Sequence, residues 1–401
     1  MKLAFVVQRY GADIAGGSEA HCRALAQQLA PRHDITVLTS CATDYVSWRN
    51  VHAPGETRDG SVRVIRFAVR SPRDLHAFAD LSDEVFDSRA SPERQRAWFT
   101  ANGPDVPDLL DHLQRFGRTY DLVLFWTYRY FPSYFGVPIV KERAVLLPTA
   151  EEDHAIDLDV LGEFFTLPAA YLFLTPEEQA LVSSRATRPL GPAAVIGTGI
   201  EPAETSDGRA RTLLEQSGIP RDFVLYLGRV DRNKGCHTLL DHFQQYLDAF
   251  ASDELTLVLA GPAKMRVPPH PRITSLGYVA DDLRRALLAH ARVLAVPSPY
   301  ESLSIALLEG WNYGVPAIVN ARCRVLQGQV RRANGGLPYR SGEEFSEALA
   351  YLRTHENERR VLGEQGRAYV DREYRWPTVI ERVERLLGDL VGQRANVKGQ
   401  R

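Results

Sequence analysis

The chain has 401 residues, of which 44% are hydrophobic and 24% are charged, and its formal net charge at pH 7 is −2. This length predicts two globular domains, and the near-neutral charge balance argues against a nucleic-acid-binding protein, which usually has a basic surface. The N-terminal run in MKLAFVVQRYG is too short for a signal peptide, and no later segment reaches the roughly 18 apolar residues of a membrane-spanning helix.

The four cysteines, Cys22, Cys41, Cys236 and Cys323, are far apart in the sequence. Their spacing fits neither a zinc site nor a disulfide framework, so a reducing cytoplasm is the expected location. An arginine-rich face of the first domain could still dock peripherally on anionic lipid at the inner membrane face.

Apolar strand patterns alternate with helical patterns through the first half of the chain. The strand patterns are KLAFVVQ, DITVLTS, YDLVLFW, RAVLLPTA and AAYLFLT. Such alternation predicts a parallel sheet with helices on both faces, whose ligands bind at the carboxyl ends of the strands. Two polar segments, 43–60 and 71–107, interrupt the alternation, and we expect them to mix inserted helices with loops.

Glycine, proline and small polar residues over 193–211 predict a linker, after which the alternation restarts. The second set of strand patterns is DFVLYLG, LTLVLAG, RITSLGYV, VLAVPS and VPAIVN. A helical pattern over 377–391 and a polar tail over 392–401 end the chain, and we expect the tail to be frayed. The predicted domains are therefore 1–200 and 201–376, followed by a segment, 377–401, whose helix packs back on the first domain.

The segment GRVDRNKG, 228–235, follows a strand pattern and precedes a helical one. Its terminal glycines allow tight turns, and Arg229 and Lys234 place two cations over one loop, an arrangement that suits a diphosphate. The segment lacks the Gly-Lys-Ser/Thr sequence of a Walker loop. A solvated turn is the alternative interpretation.

The segment AGGSE, 15–19, follows the first strand pattern. Gly16 and Gly17 would let a ligand approach the main chain, and we expect Ser18 to cap the helix that begins there. Because the G-x-G-x-x-G spacing of a dinucleotide site is absent, a plain turn before a capped helix is the alternative.

The segment ESLSIALLE, 301–309, carries a glutamate at each end. Ser302 or Ser304 can cap a helix here, and the amides near Leu303 to Ile305 would then face a bound phosphate at the edge of the sheet. Glu301 and Glu309 would lie about 12 Å apart along the helix, which is the length of a nucleotide sugar. Compensation of the helix dipole, with a spacing that arises by chance, is the alternative.

In this order, GGSE, GRVDRNKG, LGYV and ESLSIALLE resemble glycosyltransferase family 4, the retaining enzymes of GT-B fold. The resemblance covers Met1 to about Val391 and implies two Rossmann-like α/β domains whose parallel sheets face each other across a cleft. The stretches QRYGADIAGGSE, TSCATDYVSWRN and ANGGLPY are similar to a subgroup linked to bacterial polysaccharide biosynthesis. Ser302, Leu303 and Ser304 stand where the family commonly has glycines and an aromatic residue, which leaves the sugar contacts open.

The resemblance implies a role for each matching residue. Arg229 and Lys234 would bind the donor diphosphate, while Glu301 would bind the hydroxyls of the donor sugar. Glu309 would bind the ribose hydroxyls, and the other donor-side residues implied are Gly16, Gly17, Gly277, Tyr278, Val279, Ser302, Leu303, Ser304 and Ile305. The implied mechanism is a front-face displacement without a covalent nucleophile, a cofactor or a metal, unlike the double displacement of retaining glycosidases. The nearest match to the metal-binding Asp-x-Asp of the GT-A alternative, Asp157-Leu158-Asp159, follows a polar stretch rather than a strand.

Two segments of the first domain are candidates for the acceptor side. PTAEEDHAI, 148–156, holds Glu151, Glu152, Asp153 and His154 where the family commonly has a histidine that faces the sugar. His154 would be catalytic, or one of the carboxylates would orient the acceptor, and a solvated acidic turn is the alternative. In FWTYRYF, 125–131, Tyr128 and Tyr130 are the candidates for stacking on an acceptor sugar, with core packing as the alternative.

The sequence therefore predicts a cytoplasmic, retaining glycosyltransferase that moves a sugar from a nucleotide-diphosphate donor to a sugar-containing or lipid-linked acceptor. A sugar-nucleotide epimerase of the same fold would bind a similar donor and would form an epimer without an acceptor. A non-catalytic nucleotide-sugar-binding partner of another transferase would bind the donor without turnover. The base, the sugar, the acceptor, the linkage and the oligomeric state stay open.

Overall fold

The computed structural model describes residues 1–14, 16–87, 90–204 and 207–399. The chain divides into two compact units. The first contains residues 1–198 and the C-terminal helix from Trp376, and the second contains residues 199–375.

The first unit is built on a sheet of eight strands within the described residues, in the order β3-β4-β2-β1-β5-β6-β7-β8. The strands are β1 Lys2–Val6, β2 Asp34–Ser40, β3 Gly55–Asp59, β4 Val62–Phe67, β5 Leu122–Trp126, β6 Ala144–Leu147, β7 Ala170–Phe173 and β8 Ala193–Val195. All pairs are parallel except β3 with β4, which form an antiparallel edge. The helices between them are α1 Gly17–Leu29, α2 Leu75–Asp87, α3 Pro92–Asn102, α4 Pro107–Phe116, α5 Phe131–Ile139, α6 Val160–Phe164 and α7 Pro176–Arg185.

The central strands of this sheet are buried on both faces. Successive side chains of β1 enter two different apolar clusters, with Leu3 and Phe5 in one and Ala4 and Val6 in the other. This is the period of two that a strand imposes, and it explains why the strand patterns are continuous apolar runs rather than alternating ones.

The second unit has a sheet of six strands within its described residues, all parallel, in the order β11-β10-β9-β12-β13-β14. Its elements are α8 Asp207–Gln216, β9 Phe223–Leu227, α9 Cys236–Ala249, β10 Thr256–Ala260, β11 Ile273–Gly277, α10 Asp281–His290, β12 Val293–Val296, α11 Ile305–Asn312, β13 Ala317–Asn320, α12 Arg324–Ala333, β14 Gly336–Tyr339, α13 Gly342–Thr354 and α14 Glu356–Glu373. The prediction of two Rossmann-like α/β domains with parallel sheets is confirmed.

The last helix, α15 Trp376–Gly399, belongs to the first unit. Its apolar face, including Ile380, Val383 and Leu387, is buried in the same cluster as Leu3. It continues past the expected end at Val391 as far as Gly399, so the expected frayed tail is mostly helical. The last two residues of that tail, 400 and 401, lie outside the described residues.

The structure contains four strands that the sequence patterns did not indicate. Strand β3, GETRD, is polar and exposed along most of its length, and it lies inside the segment 43–60 that was expected to be irregular. Strand β4, which pairs with β3, directly follows that segment. Strand β8 lies inside the expected linker, 193–211, and β14, GLPY, contains a proline. Strands β3, β8 and β14 are edge strands of their sheets, where burial imposes little apolar pattern and proline is tolerated. None of the helices in the described segments is both long enough and apolar enough to cross a bilayer.

Candidate active site

The six-stranded sheet changes its direction of growth beside β9. From β9 the chain adds β10 and β11 on one side, and it then returns to place β12 on the other. The carboxyl ends of β9 and β12 therefore form a topological switch point, where open α/β sheets bind their ligands. The loops that follow these two strands contain GRVDRNKG and the start of ESLSIALLE.

The loop after β9 is fixed by its own backbone and by Asp231. Gly228 has a positive φ of 145°, and its carbonyl oxygen would lie 1.9 Å from a Cβ on Gly261, so the loops after β9 and β10 touch backbone to backbone. One carboxylate oxygen of Asp231 accepts a hydrogen bond from the amide of Lys234 at 2.8 Å, and the other pairs with Arg229. Asp231 therefore shapes the loop and positions Arg229, two roles that the sequence did not single out.

The same loop also contacts the loop after β12. Gly235 has a positive φ of 73°, and a Cβ at this position would lie 2.4 Å from the carbonyl oxygen of Pro297. In this close approach Lys234 Nζ donates to Glu301 Oε1 at 3.0 Å. The structure thus brings Lys234 and Glu301 together at the switch point, 67 positions apart in the sequence.

Ser304, rather than Ser302, caps helix α11. Its hydroxyl accepts from the amide of Leu307 at 3.4 Å, and its own amide donates to Gln329 Oε1 at 3.2 Å. The amide of Ser304 is therefore already used inside the protein, which corrects the expectation that it faces a phosphate. Leu303 precedes the helix and is buried. The amides of Ile305 and Ala306 precede the first bonds of the helix and are the ones that a ligand can reach.

Glu309 lies one turn into α11 and forms an ion pair with Arg284 of α10. Burial raises the pKa of Glu309, and the neighbouring guanidinium of Arg284 opposes that rise. The sequence did not identify Arg284, because it stands beside a second arginine, Arg285, which pairs with Asp282 instead.

The third segment at this edge follows β11. Gly277 has a positive φ of 67°, and its carbonyl accepts from the amide of Gly261 at 2.7 Å. Tyr278 is 81% exposed, whereas Val279 is buried. The backbone of 277–279 therefore continues the edge formed by the loops after β9 and β10.

The eight-stranded sheet has a switch point of its own, between β1 and β5. Helix α1 begins at Gly17 after Gly16, and no side chain caps it, so the expected capping role of Ser18 is wrong. The hydroxyl of Ser18 donates to Glu19 at 2.8 Å and accepts from Gln8 at 3.2 Å. Ala15, the first residue of AGGSE, lies outside the described residues.

A buried ion pair fixes this loop. Arg9 Nε donates to Glu19 Oε1 at 2.9 Å, and the two side chains are 7% and 5% exposed. Arg9 also donates to the carbonyl of Thr43 at 2.9 Å. A Cβ on Gly16 would lie 2.2 Å from Glu19 Oε2, whereas Gly17 has open space around it. Glycine at position 16 thus allows the pair to form, and Gly17 is the position that a ligand can approach.

Two threonines with positive φ angles follow strands β5 and β6. Thr127 has φ 55° and Thr149 has φ 47°, which is rare for β-branched residues and typical of functional sites. Directly after Thr127, Tyr128 is buried in the core, so it cannot stack on an acceptor as expected. The ring of Tyr130 is half-buried and packs edge-on against Trp48 at 5.5 Å between centroids.

The side chains of the acidic segment after β6 differ in their exposure to solvent. Asp153 forms an ion pair with Arg129 at 2.7 Å and accepts from the amide of Ala155 at 3.1 Å. Glu151 is half-buried, whereas Glu152 and His154 are exposed. Asp153 therefore has a structural role, and His154 is open to a ligand. Within the described residues, no three His, Cys, Asp or Glu side chains converge as a metal-ligand set.

Comparison with known proteins relates the second unit to glycosyltransferases. Residues 221–355 match the family model described as "Glycosyl transferases group 1". The chain is 23% identical over 338 residues to an uncharacterised glycosyltransferase of Methanocaldococcus jannaschii, with 80% of each chain covered.

The similar solved structures extend over the whole chain. Sucrose-phosphate synthase from Thermosynechococcus elongatus has a TM-score of 0.72 at 18% identity, covering 98% of this chain and 99% of its own. Anabaena HepE in complex with UDP and glucose has a TM-score of 0.71 at 16% identity, covering 97% and 99%. At these identities the likeness shows a shared fold, that of the GT-B glycosyltransferases.

Proposed function

We propose that this chain is a retaining, metal-independent glycosyltransferase that uses a nucleotide-diphosphate sugar. The observation that supports the proposal best is the contact of Lys234 with Glu301 at the switch point of the second sheet. It joins a cationic loop and the start of a capped helix, which are the two parts that a diphosphate with an attached sugar requires.

The proposed leaving group is a nucleoside diphosphate, which gains negative charge as its bond to the sugar breaks. Arg229, Lys234 and the first amides of α11 would stabilise that charge, because all three supply positive charge or donors held by the fold. Glu301 would bind the sugar hydroxyls, and Glu309 would bind the ribose. Since Oε1 of Glu301 already accepts from Lys234, this carboxylate suits a hydrogen-bonding role better than that of a covalent nucleophile.

We further propose a sugar-containing or lipid-linked acceptor, with the acceptor-side residues on the first unit. The exposed side chains of Glu152 and His154 support this assignment, and the strained Thr127 and Thr149 mark the same sheet edge. One similar structure, WaaG, is described as a glycosyltransferase involved in lipopolysaccharide biosynthesis and shares the fold with a TM-score of 0.61.

Substitution of the joined pair tests the donor site. We expect Lys234→Ala and Glu301→Ala each to lower kcat/KM by about 10²-fold or more, since each removes a group that stabilises the transition state. Lys141→Ala, at an exposed lysine in the turn before β6 of the first unit, is the control and should leave the rate unchanged. Near-normal rates in both site variants, with the fold checked by circular dichroism, would refute the assignment.

A thermal-shift screen with UDP, GDP, ADP and dTDP sugars would identify the donor, since a ligand of the native state raises the melting temperature. We expect one nucleotide to stabilise the wild type and to lose most of its effect in Lys234→Ala. The preferred donor is then incubated with and without acceptors. An epimer formed from the donor alone, or binding without transfer to any acceptor tested, would contradict the proposed activity.

A further inference from the structure

A cavity of about 410 Å³ lies at the amino ends of strands of the six-stranded sheet, whereas Lys234 and Glu301 lie at the carboxyl ends. Asp222, Arg292 and Pro316 line it, and they directly precede the adjacent strands β9, β12 and β13. A strand of five residues spans about 17 Å, so the cavity and the candidate donor site lie at the two ends of the same strands. The cavity is therefore separate from the proposed donor site.

Five arginines and two carboxylates line this cavity, and Glu356 and Glu364, outside the lining, pair with two of the arginines. The carboxylates of the lining are Asp222, which pairs with Arg292 at 2.6 Å, and Glu215, which pairs with Arg221 at 3.4 Å. The other arginines are Arg211, Arg359 and Arg360. Exposed ion pairs of this kind are weak because water screens them, so an incoming anion can replace the carboxylates at little cost.

Arg359 and Arg292 line the same cavity with like charges. Arg359 is only 12% exposed, and its guanidinium donates to the carbonyl of Leu352 at 3.2 Å and pairs with Glu356 at 3.1 Å. Burial lowers the pKa of Arg359, and the positive charge of Arg292 lowers it further. An anion bound between the two side chains would relieve this repulsion.

The cavity is also lined by a histidine and by apolar side chains. His290 lines it, and its Nε2 atom is buried without a hydrogen-bond partner in the described part of the chain. Leu214 and Ile219 are buried and form the apolar part of the lining. A ligand that carries an anionic group and a small organic body would therefore contact both.

We propose that this cavity binds a small organic phosphate. Guanidinium groups match the geometry of phosphate oxygens, and a lining with several of them favours phosphate over a singly charged anion. The volume lies in the range of small-molecule sites, roughly 300–1,000 Å³, and is too small for a macromolecular partner. The site is distinct from the donor site and does not depend on the proposed glycosyl transfer.

Calorimetric titration with ribose 5-phosphate tests the proposal. The titration uses the full chain carrying Lys234→Ala, so that the proposed donor-diphosphate site is disabled. We expect binding that weakens at least tenfold when Arg211→Gln and Arg221→Gln are added, because both exposed arginines line the cavity. Arg211→Gln alone should weaken binding by a smaller factor, which keeps the test usable if the double variant is unstable.

The control is Arg331→Gln, an exposed arginine on α12 that does not line the cavity, which should change the affinity by less than twofold. Inorganic phosphate should bind more weakly than ribose 5-phosphate, because it lacks the organic body. The absence of binding, equal affinity in the cavity variants, or equal affinity for inorganic phosphate would each overturn the proposal. None of these outcomes bears on donor binding at Lys234.

Discussion

Gly235 is the residue at which the loop after β9 meets the loop after β12. Its positive φ of 73° and the nearby carbonyl of Pro297 leave no room for a side chain. The contact brings Lys234, the preceding residue, within hydrogen-bond distance of Glu301. A single glycine therefore sets the distance between the two parts of the candidate donor site.

We expect Gly235→Ala to weaken the binding of the donor nucleotide at least tenfold and to lower the melting temperature. A left-handed φ costs alanine about 1–2 kcal/mol, and here the new Cβ would also displace the loop from Pro297. Calorimetric titration with the nucleotide from the thermal-shift screen measures the first effect.

The matched control is Gly218→Ala. Gly218 has a similar φ of 67° but open space around its Cβ position, so only the backbone strain applies. Nucleotide affinity should be unchanged in this variant. Equal losses of affinity in the two variants would show that the contact with Pro297 does not organise the site.

At the scale of elements, Glu178 joins helix α7 to the ends of β6 and β7. Thr175 and Glu178 form a capping box at the start of the helix, and the hydroxyl of Thr175 accepts from the amide of Glu178 at 3.1 Å. The carboxylate of Glu178 accepts from the amides of Ala150 at 2.8 Å and Leu174 at 2.6 Å. Glu178 thus holds the loop that carries the acidic segment after β6.

Burial raises the pKa of Glu178 to about 8, although the amides that donate to it oppose this rise. The native state therefore keeps the proton to a higher pH than the unfolded chain, whose carboxyl titrates near 4.5. The stability that this group contributes is present below about pH 4.5 and is lost as the pH rises towards 8.

We expect Glu178→Gln to reduce the fall in the free energy of unfolding between pH 5 and 8.5, because glutamine does not titrate. The difference from the wild type should be about 4 kcal/mol, at about 1.4 kcal/mol per pKa unit. Urea unfolding at several pH values measures it. Glu177→Gln, on the adjacent half-buried residue, should follow the wild-type curve, and a Glu178 variant that also follows it would contradict the assigned burial effect.

At the scale of the whole molecule, the first unit is completed by the last helix of the chain. The chain leaves this unit after Thr198, forms the second unit and returns at Trp376 with α15. Leu387 and Val383 of this helix are fully buried against the sheet of the first unit. Arg32 and His33, just after α1, also pair with Glu384 at 3.0 Å.

We expect Leu387→Ala to destabilise the first unit by about 2–5 kcal/mol, the usual cost of such a cavity in a core. Amide hydrogen exchange should accelerate in β1 and α1 more than in β9 and β10, because the cavity would lie in the first unit. Val391→Ala, at a half-buried position on the same helix, should cost less than about 1 kcal/mol. Faster exchange confined to the second unit would contradict this account.

The amino-acid sequence alone determined the two-domain α/β fold and the central strands, because strands buried on both faces must be continuous apolar runs between helical patterns. It also identified the segments that follow β1, β9 and β12, since glycines, cations and capping residues are local signals. The edge strands β3, β8 and β14 were missed, because solvent and neighbouring loops impose little pattern on them.

Only the tertiary structure decided which side chains meet. In it Lys234 contacts Glu301, and Arg284 contacts Glu309. Ser304 caps α11, and Tyr128 is buried in the core. The arginines of the cavity also come together only in the tertiary structure, at the amino ends of strands of the second sheet. These contacts depend on strand order, which places β12 beside β9 although two other strands come between them in the sequence. Local sequence patterns do not encode that order, because it results from how the whole sheet packs.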